Sequence, residues 1–333
     1  MIQLLPVARI ALLALAAWVS VVWACCAIYV AATYVEAMRH IPARPLADTV
    51  RSVLRESWCA AWTQPLLLLF QLTGERLGGG SGGTPVVLVH GYFQNRVDFL
   101  YLARRLRAAG SGPLYACNFF WPQSLEHSSA TIRDFVDAVR RRTGAEKVDL
   151  LTHSSGGLLA LDVLAEKPGW IRRVAVIAIP WRGVTWKGPV IGRSGSQLRA
   201  TSRYTQDRPQ EVAGGPVLSV YSAHDNLVHP PETSQIAGPH VTVREVENLG
   251  HLAILFDREV GDVVCEFLLA EEPPRLEAGL LLSAGRLWWG RRAPVTCQCG
   301  YTPVGPIVRF CFSRLAWRRK LSASTPSEKM IAK

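Results

Sequence analysis

Apolar residues recur along this chain in three rhythms, and each rhythm predicts a different element. From residue 10 to residue 35 there is no Asp, Glu, Lys, Arg or His, a run of 26 residues. As a helix it would be roughly 39 Å long, enough to cross a bilayer core of about 30 Å. A second rhythm follows, in which Val50, Val53, Leu54, Trp58, Ala61 and Trp62 recur at helical spacing with Arg51, Arg55 and Glu56 on another side. Two tryptophans on an amphipathic helix beside an apolar span fit an interfacial segment, and packing of this helix on a folded domain fits the same pattern. Pro65 interrupts it, the apolar run 66–70 is too short to span, and Gly78-Gly79-Gly80-Ser81-Gly82-Gly83 reads as a flexible linker.

The third rhythm begins at Pro85. Short apolar runs near 85–89, 113–120, 147–153, 173–179, 216–221 and 241–246 read as buried strands, with none ahead of Pro85. Between the first three, Val97-Leu100-Leu102-Leu106 and Ile132-Phe135-Val136-Val139 have the spacing of core-facing helices. Strands alternating with helices predict an α/β fold, a mostly parallel sheet flanked by helices. The regular pattern lapses over residues 181–215, which would make a small cap.

Candidate chemistry sits at strand ends. Thr152-His153-Ser154-Ser155-Gly156 lies between the apolar run Lys147-Val148-Asp149-Leu150-Leu151 and the helical pattern opened by Gly157. A serine there occupies a sharp strand-to-helix turn that exposes its Oγ beside the free N–H groups of a helix N-terminus. Thr152 stands where such turns usually carry glycine, so room must exist for a methyl and a hydroxyl. Taken alone, the stretch is equally a serine-rich turn without chemistry. Three further features are coordinated with it. Pro85 to Val89 runs into His90-Gly91-Tyr92, the strand at 217–221 runs into Ala223-His224-Asp225, and the strand at 241–246 runs into Asn248-Leu249-Gly250-His251. Serine, acid and histidine, in that order and each just past a strand, make the arrangement of one hydrolase class.

On these residues the stretch from about Thr84 to Glu272 resembles a small bacterial lipase or esterase of the α/β-hydrolase superfamily, triacylglycerol lipase-like. The resemblance implies the α/β-hydrolase fold with a small cap, a carboxylic-ester hydrolase acting through an acyl-enzyme, and a lipid or small ester as substrate. It implies Ser154 as nucleophile, His251 as general base and Asp225 as the acid that orients it. The backbone N–H groups of Tyr92 and Ser155 would form the oxyanion hole, and His90 would be structural. A serine hydroxyl needs a base within hydrogen-bond reach, the acid selects the imidazole tautomer, and each oxyanion donor is worth about 3 kcal/mol. An acyltransferase or thioesterase would use the same triad, and a catalytically silent scaffold is the reading from another class. Among rivals, Asp207 is the alternative acid. His153 points away from the serine as base, His224 and His229 follow no terminal strand, and Asp149 would satisfy loop backbone.

The chain then divides into an N-terminal transmembrane anchor (1–45), an amphipathic juxtamembrane segment with a Gly-rich linker (46–83), the α/β-hydrolase domain (84–272) and a basic tail (273–333). A cleaved signal peptide usually has a shorter apolar region, about 7 to 15 residues, and the bulky Trp23 before Ala24-Cys25 opposes lipoprotein processing. The anchor places the protein at a membrane, that of the bacterial inner membrane. Arg9 before the span against Arg39, Arg44 and Arg51 after it puts the domain in the cytoplasm, whereas the lipase resemblance pulls it outside.

Charge changes the picture only locally. Residues 275–333 hold 11 Lys and Arg against 2 acids, so +9 of the formal +11 lies there and +2 is left for everything else. The stretch Arg314-Leu315-Ala316-Trp317-Arg318-Arg319-Lys320 fits acidic lipid, or a disordered tail, better than nucleic acid. The cap carries Arg182, Lys187, Arg193, Arg199, Arg203 and Arg208 against Asp207 and Glu211, a surplus of +4 that fits a solvated loop or anionic headgroups. Of the eight cysteines, Cys25 and Cys26 lie in the span, Cys117 and Cys265 in apolar runs, and Cys297-Gln298-Cys299 lacks zinc-site spacing. Neither a metal nor a cofactor is indicated.

Overall fold

The computed structural model describes residues 4–66 and 74–270. The basic tail and its Cys297-Gln298-Cys299 lie outside the described residues.

The charge-free run forms one continuous helix, α1 (Leu4–Ala37), and the amphipathic segment forms α2 (Leu46–Thr63). Seven strands follow: β1 (Arg76–Gly78), β2 (Val86–Val89), β3 (Leu114–Cys117), β4 (Val148–His153), β5 (Ile171–Ile177), β6 (Val217–Ser222) and β7 (Val241–Val246). Their order in the sheet is β1-β3-β2-β4-β5-β6-β7. Every neighbouring pair is parallel except β1 and β3. Parallel strands need covered faces, and the helices α3 (Leu100–Ala108), α4 (Leu125–Thr143), α5 (Ser155–Glu166) and α8 (Arg258–Leu269) supply the cover. The two resulting cores lie on opposite sides of the sheet. One holds Leu102, Leu106, Val264 and Leu268 against Leu88, Leu151 and Ala175; the other holds Ile132, Val136, Leu158 and Leu159 against Val87, Leu150 and Val174.

Local signals explain the helix ends. Ser124 accepts the His127 N–H at the start of α4, and Gly144 at φ 70° closes it in the left-handed conformation. Asp257 accepts the N–H groups of Glu259 and Val260 at the start of α8. The cap consists of two short helices, α6 (Gly192–Gln197) and α7 (Arg203–Gln206), in otherwise irregular chain.

The structure departs from the sequence reading in several places. A strand does precede Pro85, because β1 pairs antiparallel with β3 at the sheet edge. The Gly-rich stretch is not a free linker: the Gly80 N–H donates to Ser111 O, and a side chain on Gly79 would fall 2.1 Å from Gly112 O. Glycine is used there for close backbone approach. The strand near 113–120 stops at Cys117, and Leu100 in the helical pattern is exposed while Val97, Leu102 and Leu106 are buried. Asp149 does not serve loop backbone. Its register on β4 sets it beside β5, and its buried carboxylate takes a two-pronged ion pair from Arg172, at 2.9 and 2.5 Å.

The largest departure concerns the N-terminal helices. Ser52, Glu56, Cys59, Ala60 and Thr63 form a buried face of α2, so this helix packs into the hydrolase core, and Val30 and Tyr34 near the end of α1 join the same cluster. Arg55 of α2 pairs with Asp257 at 2.9 Å, a partly exposed pair worth at most about 1 kcal/mol. The burial of Cys59, Ala60, Val30 and Tyr34, at about 25 cal/mol per Å² of apolar surface, outweighs it. The opposite face of α2 carries Leu46, Val50, Leu54, Trp58 and Trp62, spaced by four and all exposed. Both readings of this segment therefore have a face of their own.

A fragment running from Thr84 to Glu272 lacks this packing and is expected to aggregate or lose its cooperative melting transition, where the full chain in detergent keeps both. A monodisperse, cooperatively melting fragment on size exclusion and circular dichroism would show that the helices are dispensable.

Candidate active site

Four residues named from the sequence sit just past the carboxyl ends of parallel strands, where open α/β sheets form their binding crevice: Tyr92 after β2, Ser154 after β4, Asp225 after β6 and His251 after β7. Ser154 adopts φ 54°, ψ −131°, a conformation a non-glycine residue reaches only under constraint. The constraint is visible on both sides. The Ser154 N–H donates to Ile177 O at 2.8 Å, and Gly156 packs so closely under β2 that a Cβ would fall 2.4 Å from Val89 O. Gly91 meets the turn from the other side, where a Cβ would lie 2.7 Å from the Ser154 Cβ. Thr152 finds its room at the neighbouring strand, its hydroxyl donating to Ala175 O at 3.3 Å.

The acid and the histidine are joined. One carboxylate oxygen of Asp225 accepts the N–H groups of Leu227 and Val228 at 2.7 and 2.8 Å. The other accepts from His251 Nδ1 at 2.8 Å, which leaves Nε2 as the basic nitrogen. Burial disfavours the charged imidazole, but the charge and hydrogen bond of Asp225 outweigh it, so His251 is raised above its ordinary 6.5. Asp207, the rival acid, lies on the cap beside Glu126, Asp162 and Arg203, lining a separate surface cavity of about 390 Å³.

His153 is more than a residue pointing away. Its ring lies 4.7 Å from that of His251, with Nε2 2.9 Å from His251 O and Nδ1 2.7 Å from Gln94 Oε1. Burial drives its pKa well below the ordinary value, so the ring is neutral and its single N–H donates to one of these two oxygens. This contact also brings His251 against the residue next to Ser154. Among the described residues Ser154 Oγ makes no hydrogen bond to His251 Nε2, a contact that resting sites often leave long until substrate arrives. The Tyr92 and Ser155 N–H groups likewise donate to no protein acceptor among the described residues. His90 is buried and stacked 4.2 Å from Phe119; its Nδ1 donates to Gly91 O and its Nε2 accepts from the Phe119 N–H, and burial lowers it to about 4.

The mouth is stitched rather than hinged. The Tyr92 hydroxyl donates to Ile191 O and accepts from the Ile191 N–H, both at 2.7 Å, fastening the cap to the loop after β2. Arg182 and Arg199 hold carbonyls of the cap loops, and Arg208 is buried against Asp162 and Tyr204. Three of the six cap cations are thus spent on structure.

Sequence reasoning missed the supports of the histidine loop. The Asn226 side chain accepts the His251 N–H at 2.9 Å, Glu56 accepts the Leu252 and Ala253 N–H groups, and Gln94 accepts the Gly91 N–H. Asn226 could have been suspected from its place beside Asp225; nothing in the spacing marks Glu56.

The sheet order and helix cover are those of the α/β-hydrolase fold. Within that class residues 83–165 match the model of the class 2 lipase family. Over 107 residues the chain is 34% identical to a triacylglycerol lipase of Pseudarthrobacter phenanthrenivorans, covering 30% of this chain and 34% of that one. It is equally similar to a triacylglycerol lipase of Burkholderia plantarii, covering 30% of each. The chain thus spans about a third of the length of the curated relatives it matches. Among solved structures, lipase B of Aspergillus fumigatus superposes with a TM-score of 0.53 at 16% identity over 59% of this chain and 55% of that one, a likeness of fold.

Because the imidazole must be neutral to act as base, ester turnover should fall as pH drops through a value above 6.5, the direction in which His251 is shifted. Asp225→Asn should move that acid limb downward and lower kcat by about 10⁴-fold through the wrong tautomer. An unmoved limb in a folded Asp225→Asn chain would detach Asp225 from His251.

Proposed function

We propose that this chain is a membrane-associated serine hydrolase of the lipase/esterase type, cleaving carboxylic esters through an acyl-enzyme. The observation that carries the reading is the strained Ser154 turn set beside an Asp225–His251 pair whose Nε2 is left as the base. His251 takes the proton of Ser154 as Oγ attacks the ester carbonyl, and the Tyr92 and Ser155 N–H groups receive the oxyanion. His251 then gives its proton to the leaving alcohol, and water, activated by the same base, releases the acid.

The lipase-like segment 83–165 and the triacylglycerol lipase relatives support an ester as substrate. Apolar exposure supports the membrane. Residues 9–37 of α1 are long and apolar enough to span, with Ile10, Leu12, Leu13, Leu15, Val21 and Trp23 exposed. The Trp23 indole donates to Ala61 O, which sets Trp58 and Trp62 of α2 near Trp23, in keeping with an aromatic belt at an interface.

Ser154→Ala should abolish hydrolysis, a fall of about 10⁶-fold, and remove labelling by a fluorophosphonate probe while leaving membrane attachment intact. Residual turnover near wild type would discard Ser154 as nucleophile. The stitched, largely polar cap predicts turnover of p-nitrophenyl esters of short to medium chain with no sharp rise above their solubility. Strong interfacial activation with preference for the longest chains would speak for a mobile greasy lid instead.

A further inference from the structure

His251 lies in a loop, not on a strand or helix, and its aim depends on what holds that loop. Behind β7 the chain passes through Asn248 at φ 57°, Leu249 and Gly250 before reaching His251. Several side chains fix this stretch: Ser222 takes the Leu249 N–H and His153 meets His251 O, while four contacts come from the N-terminal segment. The Ser52 hydroxyl donates to Asn248 O at 2.7 Å, and Arg44 donates to the Asn248 side-chain oxygen at 3.2 Å. Glu56 spends both carboxylate oxygens on the next two peptides, accepting the Leu252 and Ala253 N–H groups at 2.8 Å each. A further contact is Asn226, whose oxygen accepts the His251 N–H while its amide donates to the Thr33 hydroxyl of α1 at 2.8 Å, entirely buried.

Gly250 records how close the two parts come. A Cβ there would lie 2.5 Å from Glu56 Oε2 and 2.7 Å from the Tyr34 hydroxyl. A side chain at Gly250 would have to push aside the Glu56 carboxylate and the Tyr34 hydroxyl.

We propose that Glu56 is a positioning residue for His251, and that with Thr33 acting through Asn226 it makes the N-terminal helix pair part of the catalytic centre. This inference rests on the serine-hydrolase reading. A carboxylate suits the position because it accepts two N–H groups at once, whereas an amide of the same shape has one oxygen and turns an NH₂ toward the other donor. Its charge has a second effect. The ionisable groups facing Glu56 and His251 are Tyr29 and Tyr34 from α1, Cys59 from α2, His153 from β4 and Asp225 after β6; of these Asp225 acts with Glu56 to favour the imidazolium. Burial, offset in part by the two peptide donors, raises Glu56 to about 7. The carboxylate is thus largely charged in the alkaline range where a neutral His251 works.

The test uses the full chain in detergent, with p-nitrophenyl butyrate as probe and thermal melting to establish folding. In Glu56→Gln, kcat is expected to fall by about 10²-fold, the scale of a 1 Å misplacement, with KM within about twofold. The acid limb of kcat/KM should also move to lower pH, because a charge that favours imidazolium is gone. A role in stability alone would move neither. Thr33→Val keeps the volume and removes the hydroxyl that accepts from Asn226 and donates within α1 to Val30 O; it should lower kcat in the same sense by a smaller factor, and it decides the matter if Glu56→Gln does not fold. A folded Glu56→Gln with wild-type kcat and an unmoved acid limb, or a folded Thr33→Val with unchanged kcat, overturns the proposal. Turnover retained by Ser154→Ala would overturn the underlying reading instead.

Discussion

A serine held at φ 54° stays there only if its surroundings remove every alternative, and much of the sheet's carboxyl edge is built to do so. Such a backbone costs of order 1–3 kcal/mol, small beside the packing around it but enough to relax if one neighbour gave way. The neighbours are backbone, not side chain: Ile177 O takes the serine N–H, Val89 O and His90 O press on Gly156, and Gly91 lies against the serine itself. Because β5, β4 and β2 are adjacent and in register, these groups cannot shift independently. The aim of the hydroxyl is thus a property of the parallel sheet, and the two glycines are where the sheet's spacing leaves no room for a side chain.

The histidine is held by the opposite means. Its loop has no ladder of its own, so orientation comes from individual hydrogen bonds: Asp225 to the ring, Asn226 to the peptide, and His153 against the back of the ring. A buried polar network of this kind has directional strength only if each member is satisfied. His90 meets that condition as a neutral ring that donates once and accepts once. Strain fixes one half of the pair and satisfied polarity fixes the other.

How much of this could be read beforehand follows from the range of each signal. Five of the six parallel strands were legible because burial on both faces leaves continuous apolar runs, while the edge strand β7, exposed at Val243, Arg244 and Glu245, shows only a partial one; Ser154, Asp225 and His251 were legible because each lies shortly past a strand. β1 was hidden by its three residues and by the glycines after it, which look alike whether they flex or pack. The partner of Asp149 was hidden because an ion pair between neighbouring strands depends on register, which Val148 and Ile171 set only in the fold. Glu56 was hidden for a sharper reason. In a helical pattern a lone carboxylate among Arg51, Arg55 and polar neighbours reads as solvent-facing, and only the arrival of residues 248–253 makes that position an interior one.

The helix α1 has no joint. The part that packs on the sheet domain and the part whose apolar side chains are left exposed are consecutive turns of one rod. A flexible tether would let a domain tumble above its anchor; a rod transmits height and bearing directly. Each residue of it lifts the crevice by about 1.5 Å and swings it by about 100° around the axis. The length of the rod, not merely its greasiness, therefore sets which way the serine faces.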